Sequence, residues 1–95
     1  LTTAKEYRSK ARIYFDILNQ IVKDGGKAGP TRILYGANLS HDRLVKYLMQ
    51  LINSGLVVEE KEGEKVFYSI TGKGMNFLHE FRRIQEFAKA FGIPF

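Results

Sequence analysis

Between Pro30 and Leu56 the chain reads PTRILYGANLSHDRLVKYLMQLINSGL, two short helical periodicities set on either side of a tight turn. Ile33, Leu34 and Ala37 recur at helical spacing, Gly36-Ala37-Asn38-Leu39 brings the backbone round, and Ser40 offers its hydroxyl to the first amides of a new helix. From His41 onward Leu44, Leu48, Leu51 and Ile52 fall on one face, which must be buried. The same spacing predicts that Arg43, Lys46, Tyr47 and Gln50 point outward. Gly55 stands where a left-handed residue closes a helix. Two helices joined this tightly share an apolar side that neither can cover alone, so the flanking segments have to supply its lid.

Upstream, a helix is predicted over Tyr7 to Lys23, with Ile13, Ile17, Leu18, Ile21 and Val22 as its apolar stripe and Asp24-Gly25-Gly26 as its end. Lys27-Ala28-Gly29 offers a very short edge strand. Downstream, Leu56 to Lys61 and Lys65 to Ile70 are β-rich runs around Glu62-Gly63-Glu64, which predicts a hairpin. Tyr68 and Ile70 share one face, as do Leu56 and Val58, so these four are expected to cover the helices. Thr71 caps a last helix reaching about Phe91, stopped by Gly92-Ile93-Pro94-Phe95. Helix, helix-turn-helix, hairpin and long helix is the order of an α+β winged helix-turn-helix. The expected division is residues 1–76 for that domain and residues 77–95 for dimerisation.

The dimerisation expectation comes from the last helix, where Phe77, Phe81, Ile84, Ala88 and Phe91 are spaced as a heptad seam. A lone domain has room for Met75 and Leu78 but little for the seam as well, which points to a partner helix. The alternative is that the helix folds back on its own domain.

Ninety-five residues, 44% of them hydrophobic, suit one domain with a modest core. The net charge of +5 is unevenly placed: Leu1 to Ser54 holds nine Lys or Arg against four Asp or Glu, and Gly55 to Phe95 six against six. The excess therefore lies on the helical half and suits an anionic partner. The chain has no cysteine, which excludes disulfides and thiolate metal sites. Leu1 to Arg12 lacks the apolar core of a signal peptide, and no apolar run nears the roughly 18 residues that span a bilayer, so a cytoplasmic protein is expected. A first residue other than Met is expected of a sequence that starts inside a longer one.

The residues TRILYGANLS, then KYL, SGLV and YSITGKG before a long amphipathic helix, resemble the archaeal ten-kilodalton winged-helix DNA-binding proteins, which are chromatin-associated. The likeness is most specific at Thr31 to Ser40 and Tyr47 to Leu48. It implies double-stranded DNA binding without enzymatic chemistry or cofactor, in chromatin or transcription regulation. It also implies a homodimer in which the last helix pairs antiparallel, as a two-stranded coiled coil, with its copy. The chain departs from that pattern in ending its helix early and in a wing whose Glu59, Glu60, Glu62 and Glu64 outnumber Lys61 and Lys65.

The residue types agree with such a partner. Arg43, Lys46, Tyr47 and Gln50 suit base edges or phosphates in a major groove, and Ser40 and His41 stand at the helix start where amides meet phosphate. Lys5, Arg8, Lys10 and Arg12 form a basic arm, Lys27 and Arg32 flank the second helix, and Lys61 and Lys65 sit on the wing; all would add sequence-independent affinity. The blander reading makes each a solvated surface charge and Ser40 a helix cap. A different function class, a winged helix used as a protein-interaction module, would use the acidic wing and aromatic last helix. Ser40-His41-Asp42 is no catalytic triad, because consecutive residues on one turn cannot relay a proton. His41 and His79 lack metal-ligand spacing, and Thr71-Gly72-Lys73-Gly74 lacks the full phosphate-loop pattern.

Overall fold

The computed structural model describes residues 8–95, so Lys5 of the basic arm lies outside the described residues; the first helix, expected from Tyr7, begins instead at Lys10, because Ser9 is extended and caps it. In chain order the elements are α1 (Lys10–Lys23), β1 (Lys27–Ala28), α2 (Pro30–Ala37), α3 (His41–Asn53), β2 (Val57–Glu62), β3 (Lys65–Ile70) and α4 (Gly72–Ala90). This is the predicted order: four helices and a small antiparallel sheet, with a long last helix.

Local chemistry sets the boundaries. Ser9, Ser40 and Thr71 each turn a hydroxyl oxygen to an amide three residues on, at 3.0, 3.3 and 3.0 Å, and so begin α1, α3 and α4. Pro30 starts α2, where its missing N–H costs nothing. At the end of α2 the Leu39 N–H reaches back to the Leu34 carbonyl at 3.1 Å and Asn38 N–H to Tyr35 at 3.2 Å, with Asn38 left-handed at φ 57°. That paired closure is what turns the chain into α3.

The sheet runs β1-β3-β2, antiparallel throughout, with Val57 opposite Ile70 and Glu59 opposite Tyr68. Its inner face carries Val57, Tyr68 and Ile70 against the helices. Val58, expected there, is exposed on the outer face. Leu56 is buried, but its N–H bonds the Leu51 carbonyl at 2.9 Å and completes the end of α3. The strand thus starts one residue later, and the alternation shifts by one.

The core gathers Ile13, Ile17, Leu18 and Ile21 of α1, Ile33, Leu44, Leu51, Val57 and Leu78. Met75, expected to join them, is exposed. An aromatic group between α1 and α4 continues the same core. Phe15 stacks on Phe81 with ring centroids 4.6 Å apart, and Tyr14 meets Phe77 at 6.0 Å. The first two residues of the expected seam, Phe77 and Phe81, therefore pack on their own domain.

Candidate nucleic-acid interface

Helix α3 lies on the core through Leu44, Leu48 and Leu51, which leaves an arc of His41, Asp42, Val45, Lys46, Met49 and Asn53 exposed. Of the four residues expected to point outward, only Lys46 lies on that arc; Arg43 is half-buried at its edge. Tyr47 is buried, edge-on to Tyr14 at 6.3 Å, because it falls beside Leu51 and Leu44 on the helix circumference. Gln50 accepts a hydrogen bond from the Tyr14 hydroxyl at 2.8 Å and is held toward α1. Burial and the neighbouring Tyr47 raise the Tyr14 pKa, so the phenol remains a proton donor in this bond. Tyr47 nevertheless serves the surface: the Arg43 guanidinium and Lys46 ammonium lie 6.0 and 5.3 Å from its ring centre. Ser40 is the helix cap, with His41 and Asp42 exposed beside it.

The remaining cations divide by what they touch. Arg8 is half-buried, pairing with Asp16 at 2.7 Å and donating to the carbonyls of Ala37 and Asn38 at 2.8 and 2.9 Å. It seals the end of α2, which corrects its assignment to a phosphate-facing arm. Arg12 pairs with the same Asp16 at 3.3 Å and lies over Phe15. Arg32 grips Asp24 through two hydrogen bonds, at 3.2 and 2.7 Å, and its guanidinium holds the Asp24 carboxyl below the ordinary aspartate range. Lys27 pairs with Glu62, and with Glu60 at 3.7 Å, across the outer sheet face. Arg12, Lys27 and Arg32 are thus already matched by carboxylates. Among the described residues, ion pairs involve none of Arg43, Lys46, Lys61 and Lys65. Arg43 and Lys46 share one helix; Lys61 and Lys65 stand among the wing glutamates.

A profile of winged helix-turn-helix domains matches residues 7–89. The chain belongs to the winged helix-turn-helix family. Within that fold α3 is the second helix of the helix-turn-helix and β2–β3 the wing. An uncharacterized protein of Methanocaldococcus jannaschii, MJ0287, is 36% identical over 70 residues, which is 66% of this chain and 70% of that protein. The crystal structure of Sso10a-2, a DNA-binding protein from Sulfolobus solfataricus, superposes with a TM-score of 0.75 at 33% identity, covering 90% of each chain. MepR, a transcription regulator of a Staphylococcus aureus multidrug efflux pump, shares the fold with a TM-score of 0.71 at 12% identity, over 83% of this chain and 61% of that one. No helix among the described residues of this winged-helix chain is long and apolar enough to cross a membrane.

Sequence reasoning missed Tyr14, Val45 and Met49. Tyr14 is the residue that turns Tyr47 and Gln50 inward. Val45 and Met49 were legible, because they fall outside the arc of Leu44, Leu48 and Leu51 on the circumference of α3.

Distal to Phe81, helix α4 leaves the domain. Ile84, Phe87 and Phe91 are 48%, 63% and 68% exposed. Ala88 is buried beneath the chain end, where Gly92 turns at φ 69°, Ile93 N–H bonds the Ala88 carbonyl at 2.8 Å, and Phe95 packs on Phe81 at 5.0 Å. Of the expected seam, Ile84 and Phe91 remain free, and Phe87 joins them.

Proposed function

We propose that this chain binds double-stranded DNA with α3 in the major groove, as a homodimer joined through the distal part of α4, and that it acts by binding alone in chromatin or transcription regulation. The observation that carries the reading is the contrast between half-buried Arg43 and exposed Lys46, both on α3 without a carboxylate partner among the described residues, and Arg8, Arg12, Lys27 and Arg32, each matched to one. Cations left free on a helix that follows a tight turn suit phosphate, whose neutralisation releases counterions. The likeness to Sso10a-2 supports the same partner, and favours DNA over a protein-interaction role for the acidic wing. Phosphate contacts belong to Arg43 and Lys46, with Ser40 and His41 at the helix start. Lys61 and Lys65 contribute less, because Glu62 and Glu64 stand between them.

The homodimer rests on Ile84, Phe87 and Phe91, an apolar line that the domain leaves uncovered. The dimerisation segment then begins beyond Phe81, later than the residue 77 boundary expected from the sequence. Titration of a fluorescent duplex at several salt concentrations tests the binding. The expected outcome is an affinity that falls linearly in a log–log plot as salt rises. Failure of the folded protein to bind any duplex at low salt contradicts the proposal.

A further inference from the structure

The exposed arc of α3 contains two aliphatic side chains one helical turn apart. Val45 is 45% and Met49 57% exposed, and Lys46 stands beside them on the same arc. Neither apolar residue has a place in the core, whose contact with α3 is filled by Leu44, Tyr47, Leu48 and Leu51. With Tyr47 buried and Gln50 bonded to Tyr14, the exposed side chains of this arc beyond the first turn, where His41 and Asp42 stand, are Val45, Lys46, Met49 and Asn53.

A major groove offers hydrogen-bond donors and acceptors on every base pair, but its protruding hydrocarbon is the C5-methyl of thymine. An aliphatic side chain pressed against any other edge desolvates polar groups without replacing their hydrogen bonds. Lys46 and Arg43 supply the positive charge that draws the phosphates in, and the apolar pair then faces the bases. We infer that Val45 and Met49 read C5-methyl groups of pyrimidines, so that thymine-bearing duplexes are the preferred substrate class. The inference rests on the DNA-binding reading above and adds the chemistry that is recognised.

Replacing every thymidine by deoxyuridine in an otherwise identical A·T-rich duplex removes only those methyl groups. The expected effect is an affinity loss of about fourfold per methyl touched, the value of burying one such group. The Val45→Ala, Met49→Ala double variant keeps its fold, because both side chains are exposed and alanine favours helix, and an unchanged thermal melt checks this. It is expected to bind the thymidine duplex more weakly than the parent and to bind both duplexes equally. Installing 5-methylcytosine in a G·C duplex is expected to strengthen parent binding by a similar factor, which separates the methyl from the groove shape of A·T tracts. Equal parental affinity for the thymidine and deoxyuridine duplexes overturns the inference while leaving DNA binding intact. So does a deoxyuridine effect that persists in the double variant or has no 5-methylcytosine counterpart. Absence of binding to any duplex overturns the DNA reading itself and this inference with it.

Discussion

Gly72 and Gly74 stand two residues apart in the first turn of α4, and their surroundings oppose one another. A Cβ added at Gly74 would overlap the Leu56 carbonyl and the Ile70 side chain, whereas one added at Gly72 meets nothing within 4 Å. Gly74→Ala is expected to lower stability by about 1–3 kcal/mol through overpacking against backbone. Gly72→Ala is expected to be neutral or to raise it by about 0.4–1 kcal/mol. Urea unfolding of the two variants reads both signs. Asp24 is the other informative residue. Its folded pKa is depressed by Arg32, so its contribution is present above the ordinary aspartate value and is lost as pH falls through the depressed one. Arg32→Gln should return the Asp24 carboxyl toward the ordinary range in an NMR titration; an unmoved midpoint would deny the pairing. Such partnerships were hidden in the sequence. Arg8 reads as one member of a basic arm, and only the fold brings it to Asp16 and the end of α2. Tyr47 was half legible, since it lies three residues after Leu44 and four before Leu51, but what Gln50 does depends on Tyr14, 36 residues away in sequence.

Elements were read more accurately than the faces they present. Helix starts and stops are written locally in Ser40, Thr71, Asn38 and Gly55, and the structure ends or begins its helices there, whereas α1, expected from Tyr7, starts at the Ser9 cap. Faces depend on what arrives from elsewhere. The inward face of β2 shifted by one residue because Leu56 finishes a helix before the strand begins, while β3 kept Tyr68 and Ile70 inward as expected. The period of α4 was right, but Phe77 and Phe81 turn toward α1, where Tyr14 and Phe15 form an aromatic side that the Ile and Leu stripe concealed. Phe81→Ala should therefore cost about 3–5 kcal/mol of domain stability, as deletion of a buried aromatic does. Phe87→Ala should leave the unfolding free energy of dilute protein within about 0.5 kcal/mol of the parent, as at an exposed site. Equal losses at the two positions would contradict this division of α4.

At the scale of the whole molecule, the winged helix presents Arg43 and Lys46 of α3, cations unpaired among the described residues, at one site and an uncovered apolar line at another. If Ile84, Phe87 and Phe91 join two copies, Ile84→Glu places a charge in the contact from both subunits and should shift sedimentation equilibrium to monomer while the domain stays folded. A parent already monomeric at tens of micromolar, the range in which a dimer of ordinary strength persists, would remove the dimer from the account. The central claim is that the free cations of α3 meet phosphate. It is tested most directly by the salt slope of duplex binding in Arg43→Ala with Lys46→Ala, measured beside Lys61→Ala with Lys65→Ala on the wing. The α3 pair is expected to reduce the log–log slope by about one unit for each phosphate no longer neutralised and to weaken binding more than the wing pair does. An α3 pair that folds and keeps the parent's affinity and slope, or a larger loss from the wing pair, would contradict it.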